Sequence, residues 1–407
     1  MSGRPGAGRE PHARPSASAA VAELAEREHP RVIALRRELH QHPELSYQET
    51  RTAARVEAEL RAAGVQTSRP TATSVVGRIR TGRDGPVLVL RADLDALPVQ
   101  EETGLPYASR HPGVMHACGH DGHAAVLIGV ARALASVSEG LAGEVRLVFQ
   151  HAEEPLPSGA PELIERGVLD GADAVVGQHL WTPLASGTVA VPAGPLMAST
   201  DYFEITIVGR GGHAGLPHEV VDPIAVGAQV VSGLQQLATR VAPPTEPLVV
   251  AVTAFSAGEH AAVVPDTATL RGTLRTFDES LRRTVARRIE EIARGTAATY
   301  GADARTAVQY GSPAVVNDPA LAASAQRIVR TWLGEPALAA VDPVLAGEDF
   351  AWYQQHVPGV FFLVGAGPKD RPSYPHHHPR FDIEEQALAV GLRLLLGMAL
   401  EVCGRRP

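Results

Sequence analysis

The chain has 407 residues, 44% of them hydrophobic and 20% charged, a composition typical of a globular protein long enough for two domains. Its formal net charge of −8 argues against a nucleic-acid-binding protein, which would carry a basic stripe. Lys369 is the only lysine, which excludes a phosphate-binding loop of the Walker A type, and the two cysteines are too few for a disulfide framework.

The N-terminal segment, residues 1–29, is rich in Gly, Pro, Ser, Ala and Arg and has no apolar run of the kind found in a signal peptide. We expect this segment to be a disordered tail. Beyond it, apolar residues at helical spacing predict two helices, one ending near Leu39 and one near Leu60. The longest apolar helix, near the C-terminus, is interrupted by Arg393 and is too short to span a bilayer. We therefore expect a cytoplasmic protein with no membrane partner.

Three short apolar runs each end in polar or ionisable residues. The runs lie at residues 87–90, 145–149 and 174–177. Each predicts a strand, and a helix predicted at residues 124–134 would connect the first two strands as a βαβ crossover requires. Open α/β sheets bind ligands beyond the carboxyl ends of their strands, so the residues that follow the runs should meet at one edge. These residues include Asp93, Glu153, Glu154 and His179.

The pattern changes near residue 200. The predicted elements are a strand at 202–208, a helix at 223–239, strands at 248–255 and 267–277, a helix at 280–300 and a strand at 304–310. This order suits a small α+β sandwich of a four-stranded sheet and two helices. From about residue 313 the alternation of helix and strand resumes. We therefore predict an α/β catalytic domain formed by residues 30–198 and 313–407, with residues 199–312 inserted in it.

The segment His116–His123 holds one thiol, three imidazoles and one carboxylate. A lone free cysteine is usually a small buried hydrophobe. Here the neighbouring imidazoles favour a different interpretation, because a dry pocket would leave many polar groups unpaired. Sulfur and nitrogen donors at this spacing are typical of a divalent metal site, such as one for zinc or manganese. We predict that Cys118 and His120 bind metal, and that His116 and His123 support the site.

Further donors come later in the chain. Glu153 and Glu154 could form a solvated turn, but their position directly after a buried strand favours one metal ligand and one general base. His179, at the end of the third strand, is a candidate nitrogen ligand. The run His376–His378 could be a surface metal tract. The sequence that follows favours an internal loop instead, in which one of the three histidines completes the metal set.

The segment Gly209–Gly215 is similar to a glycine-rich nucleotide-binding loop. We reject this interpretation, because Pro217 and Pro223 prevent a helix from opening directly after it and the expected acidic partner is missing. A histidine on a glycine-rich turn, His213, that reaches a substrate oxyanion fits the segment better.

Taken together, these motifs resemble the M20 metallopeptidases, in the branch of N-acyl-amino-acid amidohydrolases that includes hippurate and indoleacetyl-amino-acid hydrolases. The resemblance runs in family order from about residue 31 to the C-terminus. The matching segments are Leu39–Glu44, Arg91–Pro98, the Cys118 loop, Glu153–Glu154, Gly212–His213, Gly347–Phe350 and the C-terminal histidine loop.

The resemblance implies a zinc-peptidase-like catalytic domain with two divalent metal ions, manganese or zinc, with cobalt and nickel as alternatives. It implies that Cys118 bridges the metals, that His120 and His179 complete one site, and that Glu154 and His377 complete the other. Counting back from Phe381 selects His377 among the three adjacent histidines. Other branches place a metal-binding histidine where Arg91 stands, and here His120 would supply that ligand.

The resemblance also implies roles beyond the metal ligands. Glu153 would be the general base, and Asp93 would orient ligands from outside the first coordination layer. His213 would reach across a homodimer, formed through the inserted lid, to hold the oxyanion. Arg275 in the lid would pair with a substrate carboxylate. One position departs from the family, since Ala262 stands where relatives usually have asparagine, and part of the expected lid contact to substrate is therefore missing.

The function implied is hydrolysis of the amide bond of a small-molecule N-acyl-L-amino acid, releasing a carboxylic acid and an amino acid. The metals would polarise the carbonyl and lower the pKa of a bridging water toward ~7, and Glu153 would take its proton. Two alternatives stay open within the same enzyme class, an M20 dipeptidase and a deacetylase acting on an N-acetyl-diaminopimelate-type substrate. A catalytically silent metal-binding protein is an alternative from another class, which Ala262 keeps open.

Overall fold

The computed structural model describes residues 17–404. Within these residues the helices are α1 (Ala17–Gln41), α2 (Thr50–Ala62), α3 (His120–Ser136), α4 (Gly159–Glu165), α5 (Pro223–Leu234), α6 (Leu237–Arg240), α7 (Glu279–Thr299), α8 (Pro319–Leu333), α9 (Ala351–Gln354) and α10 (Gln386–Cys403). The strands are β1 (Gln66–Ser68), β2 (Val75–Arg80), β3 (Val87–Asp93), β4 (Glu144–Gln150), β5 (Ala174–Ala185), β6 (Val189–Ala190), β7 (Gly194–Met197), β8 (Asp201–Val208), β9 (Gly212–His213), β10 (Leu248–Ser256), β11 (Val263–Val264), β12 (Thr267–Thr276), β13 (Asp303–Tyr310), β14 (Val315–Asn317) and β15 (Gly359–Gly367).

The larger body is built on a mixed sheet, seven-stranded within the described residues, in the order β1-β2-β4-β3-β5-β15-β6. Its central strands β4, β3, β5 and β15 are parallel. Successive residues of these strands enter two different apolar clusters, as alternation in a pleated strand requires. Both faces of the sheet are therefore buried, which explains why the sequences of these strands are continuous apolar runs. The predicted α/β architecture is confirmed.

Helix α3 connects β3 to β4, which pair in parallel as the βαβ prediction requires. Gly129 lets α3 pack closely on its neighbours. A Cβ at this position would come within 2.6 Å of the Val32 side chain on α1 and 2.8 Å of Leu392 on α10. This close packing holds the middle of α3 against α1 and α10, and His120 lies in the first turn of the same helix.

Two predictions about elements need correction. The disordered tail predicted for residues 1–29 is wrong for residues 17–29, which form the first part of α1, while residues 1–16 lie outside the described part of the chain. Val21 and Ala25 are fully buried and extend the apolar stripe of the helix, which passes through Pro30.

The second correction concerns β5, the third strand predicted along the chain. It continues to Ala185, paired with β15, so His179 lies within β5 and not after its end.

The smaller body has its own four-stranded antiparallel sheet, in the order β10-β12-β8-β13, and its own apolar cluster. Its elements follow the predicted β-α-β-β-α-β order, with α5 and α7 packed on the sheet and the short α6 after α5. The connections to the larger body run through residues 199–200 and 311–313. There, Arg282 of α7 binds both oxygens of the buried Asp201 carboxylate, at 2.6 and 2.8 Å, and also the Gly311 carbonyl oxygen.

Among the described residues, α10 is the one helix long and apolar enough to cross a membrane by length and composition. Its stretch is 61% buried within the structure. It packs against α1, α3 and α8 as the core helix of a globular protein does. Its apolar character is therefore accounted for by the core.

Candidate metal centre and substrate cavity

A cavity of about 740 Å³ lies between the two bodies. Side chains from both bodies line it. From the larger body these include Cys118, Glu153, Glu154, His179 and His377, and from the smaller body Tyr202 and Arg275. The structure thus brings residues that are far apart in sequence to one place, and all but three of the predicted site residues line this cavity.

The first group of metal-binding side chains is Cys118, His120 and His179, whose donor atoms lie within 4.8 Å of one another. Cys118 Sγ is 3.4 Å from His179 Nε2. His179 Nδ1 donates to the Leu180 carbonyl oxygen at 2.9 Å, and His120 Nδ1 donates to the Asp95 carbonyl oxygen at 2.9 Å. These bonds place the proton of each neutral ring on Nδ1 and leave Nε2 as a free electron-pair donor.

The second group is Cys118, Glu154 and His377, again with donor atoms within 4.8 Å. His377 Nε2 lies 3.3 Å from Glu154 Oε1. His377 has φ +67, a left-handed conformation that is unusual for a residue with a Cβ. Its backbone N–H donates to the Ala117 carbonyl oxygen at 2.8 Å, which attaches the histidine loop to the Cys118 loop. Both groups contain Cys118, so a sulfur atom stands at the point where two metal sites would meet.

The three adjacent histidines have different environments. His376 stacks on Trp181 at 4.5 Å and places its Nε2 3.0 Å from the Leu180 carbonyl oxygen, and burial lowers its pKa to about 4. His378 accepts the Arg380 N–H through Nδ1 at 3.0 Å. Of the three, His377 is the one whose ring nitrogen joins a group of potential ligands. The structure therefore favours the same histidine as the count back from Phe381.

The donors fit a divalent cation. Within residues 17–404 the buried His120 Nε2 has no hydrogen-bond partner, although it faces the cluster. A buried polar atom without a partner is costly, and a cation in the cluster would satisfy it. Burial raises the pKa of the Cys118 thiol well above its usual value, and Glu154 adds to the effect. A bound cation would overcome this by holding the thiolate directly. A sulfur, imidazole and carboxylate set is typical of zinc and related transition metals.

Glu153 lies beside the two groups and points its carboxyl group toward the same cavity. Its Oε1 accepts the Asp349 backbone N–H at 3.2 Å. Burial raises the pKa of Glu153 well above its usual value, and the carboxyl groups of Glu348 and Glu154 raise it further. One carboxyl oxygen is thus held by the backbone, which leaves the other to exchange a proton with a bound molecule.

A fully buried arginine, Arg91, neutralises the acidic residues next to Glu153. It donates to Asp93 Oδ2 and Asp349 Oδ1, both at 2.6 Å, and to Gln150 Oε1 at 2.8 Å. Glu348 Oε1 is 3.2 Å away. Burial raises the pKa of Glu348 to about 7 and that of Asp349 to about 6, while Arg91 opposes the shift. Where other branches are expected to place a metal ligand, this chain therefore has a buried cation that holds carboxylates.

Two aspartates, Asp93 and Asp95, lie near His120. Asp93 accepts from His123 Nδ1 at 2.6 Å and lies 3.9 Å from His120 Nδ1. Asp95 is the closer carboxylate, with Oδ1 3.3 Å from His120 Nδ1. The sequence analysis missed Asp95. The alternation of two aspartates around Leu94 was the available signal, since residues two apart on an extended segment share a face.

The two predicted lid residues lie in different places. Arg275 of β12 lines the cavity and donates to Thr200 Oγ1 at 2.9 Å and to the Leu345 carbonyl oxygen at 3.3 Å. His213 is exposed on β9 and does not line the cavity of its own chain. Its Nδ1 accepts the Gly215 N–H at 2.9 Å, so the ring presents Nε2–H as a donor. Ala262 lies beside it, since its carbonyl oxygen accepts the Ala214 N–H at 3.0 Å.

Comparison with known proteins agrees with this geometry. Residues 89–401 match the profile of peptidase family M20/M25/M40. The chain is 48% identical over 304 residues to an N-acyl-L-amino acid amidohydrolase of Geobacillus stearothermophilus, with 74% of this chain and 82% of the relative covered. It is 41% identical over 376 residues to an N-acetylcysteine deacetylase of Bacillus subtilis (strain 168), with 92% and 97% covered. A solved structure described as a dinuclear metal binding peptidase of the M20 family from Bacillus subtilis superposes with a TM-score of 0.81 at 39% identity, with 93% of this chain and 99% of that chain covered.

Proposed function

The chain belongs to peptidase family M20/M25/M40, and we propose that it is a metal-dependent amidohydrolase that cleaves N-acyl-L-amino acids into a carboxylic acid and an amino acid. The observation that carries the proposal is the pair of donor groups that share Cys118, with the carboxyl group of Glu153 beside them in one cavity. A metal centre with an adjacent carboxylate base is the arrangement that amide hydrolysis requires.

Cys118, His120 and His179 would hold one divalent cation, and Cys118, Glu154 and His377 would hold a second. When bound, the cations supply Lewis acidity toward the substrate carbonyl and lower the pKa of water toward neutrality. Zinc and manganese are the metals we propose first, with cobalt and nickel as alternatives.

Glu153 is the proposed general base. The Asp349 N–H holds its Oε1, so Oε2 is free to take a proton from the attacking water and to pass it to the departing amine nitrogen. The same carboxyl group thus acts twice in one turnover, and the backbone bond keeps it in place between the two steps. Burial raises its pKa, and the carboxyl groups of Glu348 and Glu154 raise it further.

The cavity lining includes both cationic and apolar side chains, which suit the two ends of an N-acyl amino acid. Arg275 is the cationic side chain from the smaller body, and we propose that it binds the carboxylate of the amino acid. The rest of the lining includes the apolar side chains Leu97, Leu156, Trp181, Met197 and Leu345. These side chains suit an apolar acyl group, and the volume of about 740 Å³ accommodates groups larger than acetyl.

We further propose that the protein works as a homodimer formed through residues 199–312. Strand β10 is at the edge of its sheet. Among the described residues, no other strand pairs with the backbone groups along its outer side. Phe255 on this strand and Ile224 on α5 are each 41% exposed. His213 is exposed and does not line the cavity of its own chain, which is the placement expected of a residue that serves a partner's site. A cytoplasmic location stays a prediction.

The test of the proposed function combines metal analysis with hydrolysis assays. Purified protein loaded with manganese, zinc, cobalt or nickel should release amine from N-acetyl, N-benzoyl or indoleacetyl amino acids. Bound metal without turnover on any of these substrates would instead support a silent metal-binding protein.

Mixing two inactive variants tests the dimer. Glu153→Ala and His213→Ala subunits, exchanged at random, should restore about a quarter of wild-type activity, because half of the dimers are mixed and each mixed dimer has one complete site. If the mixture stays inactive while subunits demonstrably exchange, His213 does not serve the partner's site.

A further inference from the structure

Residues 44–49, which start at the last residue of the motif Leu39–Glu44, lie against the turn that carries Glu153 and Glu154. Tyr47 Oη donates to the Pro157 carbonyl oxygen at 2.7 Å. Ser46 Oγ donates to Asp95 Oδ2 at 2.7 Å, and the same oxygen accepts the Glu154 N–H at 3.1 Å. The segment therefore contacts this turn both directly and through one shared carboxylate.

The most direct of these contacts is made by Glu49. Its side chain is fully buried, and its Oε1 accepts the backbone N–H of Ala152, 103 residues away, at 2.8 Å. Glu49 is also the residue that precedes α2, the position from which a polar side chain can cap a helix. It does not do so here. Glu44 accepts the N–H groups of Arg51 and Thr52 instead, at 3.1 and 2.7 Å. The two glutamates have separate tasks, and that of Glu49 lies outside its own helix.

Ala152 is fully buried, so its N–H needs a partner, and its backbone conformation is unusual. Its φ is +49, in the left-handed region that residues with a Cβ disfavour. Its carbonyl oxygen accepts the Gly159 N–H at 2.7 Å, which closes the turn on the other side. A left-handed residue reverses the chain direction locally, so the conformation of Ala152 determines where the next two side chains point. Those side chains are the proposed base and one proposed metal ligand.

We propose that Glu49 is a positioning residue, whose carboxyl group holds the Ala152 amide and thereby fixes the directions of Glu153 and Glu154. The inference rests on the proposed function, since it assigns those two residues their roles. It gives Glu49 a task in catalysis that it performs without touching substrate.

The test compares three substitutions in this segment. Glu49→Leu removes the acceptor and leaves the Ala152 N–H without a partner, so kcat at saturating metal should fall about 10- to 100-fold while KM changes little. Glu49→Gln keeps an acceptor of the same shape and should retain kcat within about threefold of wild type. Burial raises the pKa of Glu49 to about 7, so a neutral side chain is a close replacement. Glu44→Ala is the matched control, since it removes a helix cap and should lower the melting temperature without lowering kcat.

A wild-type kcat for folded Glu49→Leu would overturn the proposal, and so would an equal loss in Glu49→Gln, because the hydrogen bond would then not be the cause. If Glu49→Leu does not fold, Glu49→Asp takes its place. This variant keeps the buried carboxyl group but draws it away from Ala152, and an unchanged kcat would again overturn the proposal. Failure of the wild type to hydrolyse any N-acyl amino acid would refute the proposed function itself. An active wild type whose Glu49 variants are equally active would refute only the role of Glu49.

Discussion

Replacing Glu153 by glutamine removes the proposed base while disturbing little else. The glutamine carbonyl oxygen can still accept the Asp349 N–H, which Glu153 Oε1 accepts at 3.2 Å in the native chain. Burial and the carboxyl groups of Glu348 and Glu154 disfavour a negative charge on Glu153 and raise its pKa, whereas glutamine is neutral. The free energy of unfolding should therefore be equal to or greater than that of wild type.

The catalytic loss should be large by comparison. A positioned general acid–base group contributes on the order of 10²- to 10⁴-fold to a rate. This range corresponds to about 3–5 kcal/mol of transition-state free energy. Because Glu153 is placed to handle the proton in both the attack and the departure of the amine, we expect Glu153→Gln to fall at the upper end of this range. Glu153→Ala should lose nearly all turnover as well, while keeping metal and fold.

The assay follows amine release from an N-acetyl-L-amino acid at saturating metal, with metal content and thermal melting measured on the same preparation. The expected result is a kcat lower by at least a hundredfold or so, with wild-type metal content and an unchanged or higher melting temperature. Retention of more than about a tenth of the wild-type kcat would refute the assignment of Glu153 as base. Loss of metal in this variant would also refute it, because Glu153 would then be a ligand.

Three further predictions follow from the site and its surroundings. Arg275→Met should raise KM about 10- to 100-fold for N-acyl amino acids. It should not raise KM for the corresponding carboxamides, because these lack the carboxylate that Arg275 would bind. Equal effects on both kinds of substrate would contradict carboxylate binding by Arg275. Arg282→Met should lower the free energy of unfolding in urea by about 3–5 kcal/mol, because the buried Asp201 carboxylate loses its cation, and Asp201→Asn in the same chain should recover part of the loss. Removal of metal by a chelator should lower the melting temperature, since binding to the native state alone stabilises it, and restored metal should reverse the change; a melting temperature indifferent to metal would count against the centre.

Much of the architecture could be predicted from the sequence because its local signals agree with the tertiary structure. The order of strands and helices between residues 201 and 310 matches the prediction, since alternating strands and an amphipathic α7 each follow one periodicity. The M20 resemblance, drawn from motifs in family order, is confirmed by the profile match over residues 89–401. The ligand assignments stay predictions, although the predicted donors do meet in two groups.

What the sequence analysis missed depends on long-range contacts. The first turns of α1 were missed because the Gly, Pro, Ser, Ala and Arg content of residues 1–29 suggested a disordered tail, whereas burial of Val21 and Ala25 against the core makes the helix stable. The role of Asp95 depends on the rotation of the His120 ring, which no spacing in the sequence specifies. The contact of Glu49 with Ala152 joins residues that are 103 apart in the sequence. Nothing in the sequence around Glu49 indicates a hydrogen-bond partner at that distance.

The central claim is that one sulfur atom, that of Cys118, belongs to two metal sites. Counting metal ions per subunit by mass spectrometry in wild type, Cys118→Ala and His377→Ala tests it most directly, with circular dichroism to verify that each variant is folded. We expect two ions in the wild type, one in His377→Ala and none in Cys118→Ala. One ion retained at full occupancy in folded Cys118→Ala would contradict it.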